Sequence, residues 1–182
     1  IYTRAINYLS DQIFSSLTPD NYTLENILAK ARGLVARNGI RVLVVDPYNR
    51  LEHQIPSNMT ETQYISAQLD ALTNFAQRYK CLVILVAHPR KMNREPGQKQ
   101  LATPEMYVVN GSANFYNTCD SAIIVNRDRE PRITTITTKK VKFRHLGQGG
   151  DSLFAYNLAS GRFVPCQSGN PATAHYDHAS WI

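Results

Sequence analysis

Two short stretches, Val42-Leu43-Val44-Val45 and Leu82-Val83-Ile84-Leu85-Val86-Ala87, are apolar at every position. A strand with one wet face alternates apolar and polar residues. A strand without alternation suits a sheet covered on both faces, as in a parallel α/β sheet. Between the two runs, Ile65, Leu69, Leu72, Phe75 and Ala76 recur at helical spacing up to about Tyr79. Thr60 and Gln63 ahead of them form a capping-box pattern. Strand, long helix, strand predicts a right-handed crossover between parallel strands.

The flanking sequence extends this order. Leu24, Ile27, Leu28, Ala31, Leu34 and Val35 predict an earlier amphipathic helix, with Thr23 as N-cap and Asn38-Gly39 as its left-handed stop. Ile13–Leu17 is a short strand candidate, and residues 1–12 read as the end of a helix. The pattern changes after His88. Residues 89–110 are polar and basic, interrupted by Pro89, Pro96, Gly97 and Pro104, a length that in a compact domain marks a functional or disordered loop. Ser121–Val125 reads as a third buried strand. Residues 133–143 and 152–157 read as an antiparallel hairpin around Gly147-Gln148-Gly149-Gly150, and Ala159-Ser160-Gly161 as a turn before Arg162-Phe163-Val164.

The expected fold class is therefore α/β, with a mainly parallel sheet, flanking helices and a C-terminal antiparallel hairpin. One domain is expected over residues 1–165 and a polar tail over 166–182. A chain of 182 residues suits a single domain, and a hydrophobic content of 43% supplies a core and excludes disorder as a whole. No apolar run reaches membrane-spanning length, so no membrane partner is expected. Cys81, Cys119 and Cys166 are odd in number and far apart, without zinc-site spacing. That usage points to a reducing compartment, read as the cytoplasm. A net charge of +6 favours an anionic partner, nucleic acid first, over a merely basic surface.

Asp46 closes the first apolar run and His88 the second. In open α/β sheets the carboxyl ends of the strands face the ligand crevice. A carboxylate there can hold Mg²⁺ beside nucleotide phosphates, or merely cap the next element. A histidine there can meet a terminal phosphate, or simply bond backbone at a strand end. Two such residues on neighbouring strands would line one crevice. Arg90, Lys91, Arg94 and Lys99 make the long loop basic, suited to a phosphate backbone or to solvent. Lys139, Lys140, Lys142 and Arg144 form a second basic run, in which strand alternation would put Lys140, Lys142 and Arg144 on one face. They would meet an anion there, or blunt a sheet edge.

Taken in order and spacing, these segments resemble the RecA-like motor of hexameric replicative DNA helicases of the DnaB, Twinkle and phage primase-helicase type. The resemblance runs through residues 42–46, 83–91, Asn110-Gly111-Ser112-Ala113-Asn114-Phe115, 120–128, 140–143, 149–150 and 156–157, within roughly residues 10–165. It implies a P-loop NTPase core that uses ATP and Mg²⁺. In the full-length protein it implies a homo-oligomeric, hexameric ring that moves on single-stranded DNA and unwinds duplex. Asp46 would be the Walker B carboxylate, with Mg²⁺ held directly or through water, and His88 the phosphate sensor. Arg90, Lys91, Arg94, Lys99, Asn110 and Gly111 would face DNA. Lys140 would reach the neighbouring subunit's nucleotide, with Lys142 or Arg144 as the finger. The family's finger is Arg, whereas the aligned residue is Lys142.

The phosphate-loop pattern Gly-x-x-x-x-Gly-Lys-Ser/Thr occurs nowhere in the sequence. In the family it precedes the matched region, as does a catalytic Glu, so an N-terminally truncated motor is expected. A fragment of this kind should hydrolyse ATP negligibly by itself. The alternatives are a RecA- or KaiC-like ATPase that is not a helicase, and a non-catalytic DNA-binding or assembly module.

Overall fold

A computed structural model describes residues 21–88, 112–127 and 132–166, with Thr3, Arg4, Ile6, Asn7 and Ser10 in helical conformation before them. The chain divides into two compact units, Ile1–His88 and Pro89–Ile182. The strand expected over 13–17, the loop 89–110 and most of the polar tail lie outside the described residues.

In the first unit, α1 spans Leu24–Asn38. The Thr23 side chain accepts from the Asn26 N–H, and Gly39 ends the helix at φ 66° while donating to the Val35 carbonyl. Leu24, Leu28 and Ala31 are its buried residues. Strand β1, Val42–Val45, pairs in parallel with β2, Leu82–Leu85, with Val42 opposite Leu82 and Val45 opposite Leu85. The crossover is α2, Glu61–Tyr79, opened by the expected capping box: Thr60 Oγ1 accepts from the Gln63 N–H, and Gln63 Oε1 accepts from the Thr60 N–H. Ile65, Leu69, Leu72 and Phe75 are buried, as their spacing requires, and Gln68 is buried among them. Helix α2 packs on α1 and on β2.

One expectation fails here. Among the described residues the sheet is not covered on both faces: Val42, Val44, Leu82 and Ile84 are between 42 and 60% exposed, whereas Val45 is buried. An unbroken apolar run marks both faces as suited to burial. It does not say that the covering segment lies among these residues.

The second unit begins its described part with α3, Ser112–Thr118, and continues as the antiparallel sheet β3-β4-β5-β6. The strands are Ser121–Arg127, Ile133–Val141, Gly150–Asn157 and Arg162–Cys166. The expected hairpin is thus the centre of a meander, which β3 joins as an antiparallel edge rather than as a further parallel strand. Ile133, Ala155 and Cys166 form its small core, with Leu153 packed against them. Gly149 is fixed by close approach, since a Cβ there would stand 2.9 Å from the Thr138 carbonyl oxygen.

The basic run departs from its expected geometry. Between β3 and β4 the register jumps, so that Ala122 opposes Lys140 while Ile123 opposes Thr138, and Lys139 is the extra residue of a bulge. Strand β4 then stops at Val141, and Arg144 lies in a 3₁₀ turn, Arg144–Leu146. Strand alternation therefore does not carry from Lys142 to Arg144.

Candidate nucleotide edge and cationic hairpin

Both residues singled out at strand ends lie at one edge of the first unit. Asp46 directly follows β1, His88 follows β2 by three residues, and the two strands are parallel neighbours. Both side chains are exposed, so the edge is open to a ligand. The chain turns after Asp46 through a cis peptide to Pro47 and a 3₁₀ turn, Tyr48–Arg50.

The turn is anchored on two sides. The Tyr48 N–H donates to the Val86 carbonyl at 2.7 Å. The Tyr48 ring is buried, and its hydroxyl donates to Gln68 Oε1 at 2.9 Å, while Gln68 Nε2 donates to the Tyr64 hydroxyl at 2.6 Å. Burial, then the neighbouring Tyr64 and Glu61, push the Tyr48 phenol up to about 12. His53 sits against Tyr48 and Tyr64, with ring centroids 4.9 and 5.9 Å away. This explains the buried Gln68 on an otherwise apolar helix face: a buried amide needs partners, and two tyrosines supply them.

Asn49 bridges to the other strand. Its Oδ1 accepts from the His88 N–H at 2.7 Å, and its Nδ2 donates to the His88 carbonyl at 3.3 Å. Tyr48, Asn49 and Gln68 were not singled out from the sequence. The one local signal for them was an aromatic and an amide directly after the strand-ending Asp-Pro.

Among the described residues, no three His, Cys, Asp or Glu converge on a metal-sized site. A carboxylate at such an edge can hold Mg²⁺ in the form that keeps several waters and takes its other ligands from phosphates.

In the second unit Lys140 and Lys142 have partners. Lys140 Nζ donates to the Tyr116 carbonyl and, at 3.2 Å, to the Asn117 carbonyl, and lies 4.9 Å from the centre of the Tyr116 ring. A cation at a helix C-terminus meets unpaired carbonyls and the negative end of the dipole. Lys142 Nζ is 2.7 Å from Asp120 Oδ1, with both side chains more than half exposed. Burial raises the nearby Cys119 thiol above its ordinary range, against the opposing pull of Lys140. Arg144 is exposed in its turn. Arg90, Lys91, Arg94, Lys99, Asn110 and Gly111 lie outside the described residues.

No protein-family model matches the chain. Among solved structures, one isolated ATPase domain superposes with a TM-score of 0.68 at 20% identity, over 88% of this chain and 57% of that one. A DnaB-like replicative helicase, studied for its interactions with primase, gives 0.68 and 20%, over 88% of this chain and 39% of that one. The fold is thus that of the RecA-like ATPase domain of DnaB-like replicative helicases. Over 146 residues, 78% of its length, the chain is 37% identical to the chloroplastic/mitochondrial Twinkle homolog protein of Arabidopsis thaliana. It spans 20% of that relative's length. The resemblance read from the sequence is therefore found again in both the fold and a much longer relative. Among the described residues no helix is long and apolar enough to cross a membrane.

Proposed function

We propose that this chain is part of the motor of an ATP-dependent replicative DNA helicase that, in its full-length form, encircles single-stranded DNA as a homo-hexameric ring. The observation that carries the reading is the 37% identity to a Twinkle homolog across most of the chain. The open edge bearing Asp46 and His88 just past the ends of adjacent parallel strands supports it.

Asp46 would hold Mg²⁺ through its carboxylate or a bridging water. When bound, the metal neutralises charge on the ATP phosphates. His88 would hydrogen-bond the terminal phosphate and register its loss. Lys142 or Arg144, presented on the hairpin, would meet the nucleotide of the neighbouring subunit. For Lys140 to do so, it would have to leave the α3 carbonyls; for Lys142, the exposed pair with Asp120 is the cheaper one to release. The basic residues of 89–110, with Asn110 and Gly111, would contact the DNA backbone. The odd number and wide spacing of the cysteines support a reducing compartment, the cytoplasm or an organelle interior.

The test is DNA-stimulated ATP hydrolysis and strand displacement by the full-length protein. Asp46→Asn should remove turnover by at least ~10²-fold, because phosphoryl transfer rests on positioning and charge stabilisation. Undiminished turnover in that variant would overturn the assignment. Hydrolysis without strand displacement would leave an ATPase that is not a helicase.

A further inference from the structure

The bonding between β1 and β2 continues past the last residue of either strand. The Leu82 N–H donates to the Arg41 carbonyl at 2.8 Å, and the Val86 N–H to the Val45 carbonyl at 2.9 Å. On β2, the residues that face β1 are thus the even-numbered ones. The next donor from the β1 side would be residue 47, but Pro47 has no N–H. Tyr48 donates to Val86 in its place. The next residue in phase on β2 is His88. Both of its backbone groups are met by one side chain, the Asn49 amide, across 39 positions of sequence.

We propose that Asn49 is a positioning residue for His88, its side-chain amide standing in for the next rung of the ladder, beyond the one that Pro47 interrupts. A carboxamide carries a donor and an acceptor on one planar group, as a peptide does, and can bond an N–H and a C=O together. Fixing both backbone groups of residue 88 fixes the direction in which its side chain leaves the chain. Asn49 is three residues past Asp46, in the 3₁₀ turn that follows it. This role rests on the nucleotide-edge reading above, and it adds the link between the two strand ends.

The experiment uses the full-length protein with Asn49→Asp, Asn49→Ala and Asn49→Gln. Asp is nearly isosteric but has no donor, and it sets a negative oxygen against the His88 carbonyl. Residue-resolved amide exchange should be about fivefold faster at His88 in Asn49→Ala, the loss of one net hydrogen bond. ATP turnover should fall about tenfold in Asn49→Asp and Asn49→Ala with KM for ATP unchanged, because Asn49 positions a group and does not bind the nucleotide. Asn49→Gln keeps both bonding groups and should recover part of both losses. Unaltered exchange at His88 would overturn the clamp. Normal turnover in Asn49→Asp, or KM and kcat moving together, would overturn its role in turnover. His88→Ala separates the two readings: if it leaves hydrolysis intact, the sensor assignment fails, while the exchange result still decides the clamp.

Discussion

At the scale of single residues, Tyr48 ties the edge that bears Asp46 and His88 to the core, and its chemistry gives a pH prediction. Its phenol is held protonated to about pH 12 in the folded chain, chiefly by burial, against 10 for an ordinary tyrosine. The raised folded value sets the sign. The stabilisation is fully present below pH 10, where both states keep the proton. It is lost as pH rises towards 12, because the unfolded chain releases the proton first. Urea unfolding at pH 8 and pH 11 should therefore show a larger alkaline loss for the wild type than for Tyr48→Phe. At pH 8 the variant should be less stable by about 1 kcal/mol, the usual net worth of a hydrogen bond such as the one to Gln68. An identical pH dependence in the two proteins would show that Tyr48 does not titrate in this way. The places of Asp46 and His88 at strand ends were legible in the sequence because each closes an apolar run, and the end of a strand is a defined place. Asn49 and Gln68 were not. Their roles depend on contacts 39 and 20 positions away, and no local pattern records those.

At the scale of elements, what is local was readable and what is paired was not. Thr23, Gly39 and the Thr60–Gln63 box cap the helices as expected, since a cap is settled within four residues of chain. The length of β4 and the phase of its lysines depend on β3. The bulge at Lys139 and the turn at Arg144 follow from a register that only the partner strand defines. The Gly-rich turn lies between these cases, because its place was evident and the need at each glycine was not. Gly149→Ala would drive a Cβ to 2.9 Å from the Thr138 carbonyl oxygen, a backbone atom that cannot swing aside, whereas at Gly150 nothing stands within 4 Å. Gly149→Ala should therefore destabilise the chain by about 1–3 kcal/mol, the usual cost of overpacking. Gly150→Ala should stay within about 0.5 kcal/mol, as substitutions without such contacts do. Equal midpoints for the two variants in urea would mean that the hairpin shifts to accept the Cβ.

At the scale of the whole molecule, the class of fold was legible from the crossover β1–α2–β2, while the balance of parallel and antiparallel strands was not. Three-residue steps such as Thr134–Thr135–Ile136 fit either kind of sheet, and only pairing with β3 and β5 makes β4 antiparallel. The finger assignment also belongs to this scale, because a cation that serves a neighbour's nucleotide has no function within one chain. Lys142 rests on Asp120 through an exposed pair, a contact worth little and easily exchanged, and Arg144 follows two residues on in the turn. If the hairpin acts in trans, a cation delivered across the interface is worth ~10³–10⁵ in turnover. Full-length subunits carrying Lys142→Ala with Arg144→Ala should then be nearly dead as homogeneous rings, as should subunits carrying Asp46→Asn. Mixed, they form some interfaces in which an intact Asp46 edge meets an intact hairpin, and those interfaces should hydrolyse ATP. The recovered rate should rise and fall with the mixing ratio and peak near equal parts, because the productive interface needs one subunit of each kind. Normal turnover in homogeneous Lys142→Ala, Arg144→Ala rings would instead show that the two cations only blunt the end of the sheet.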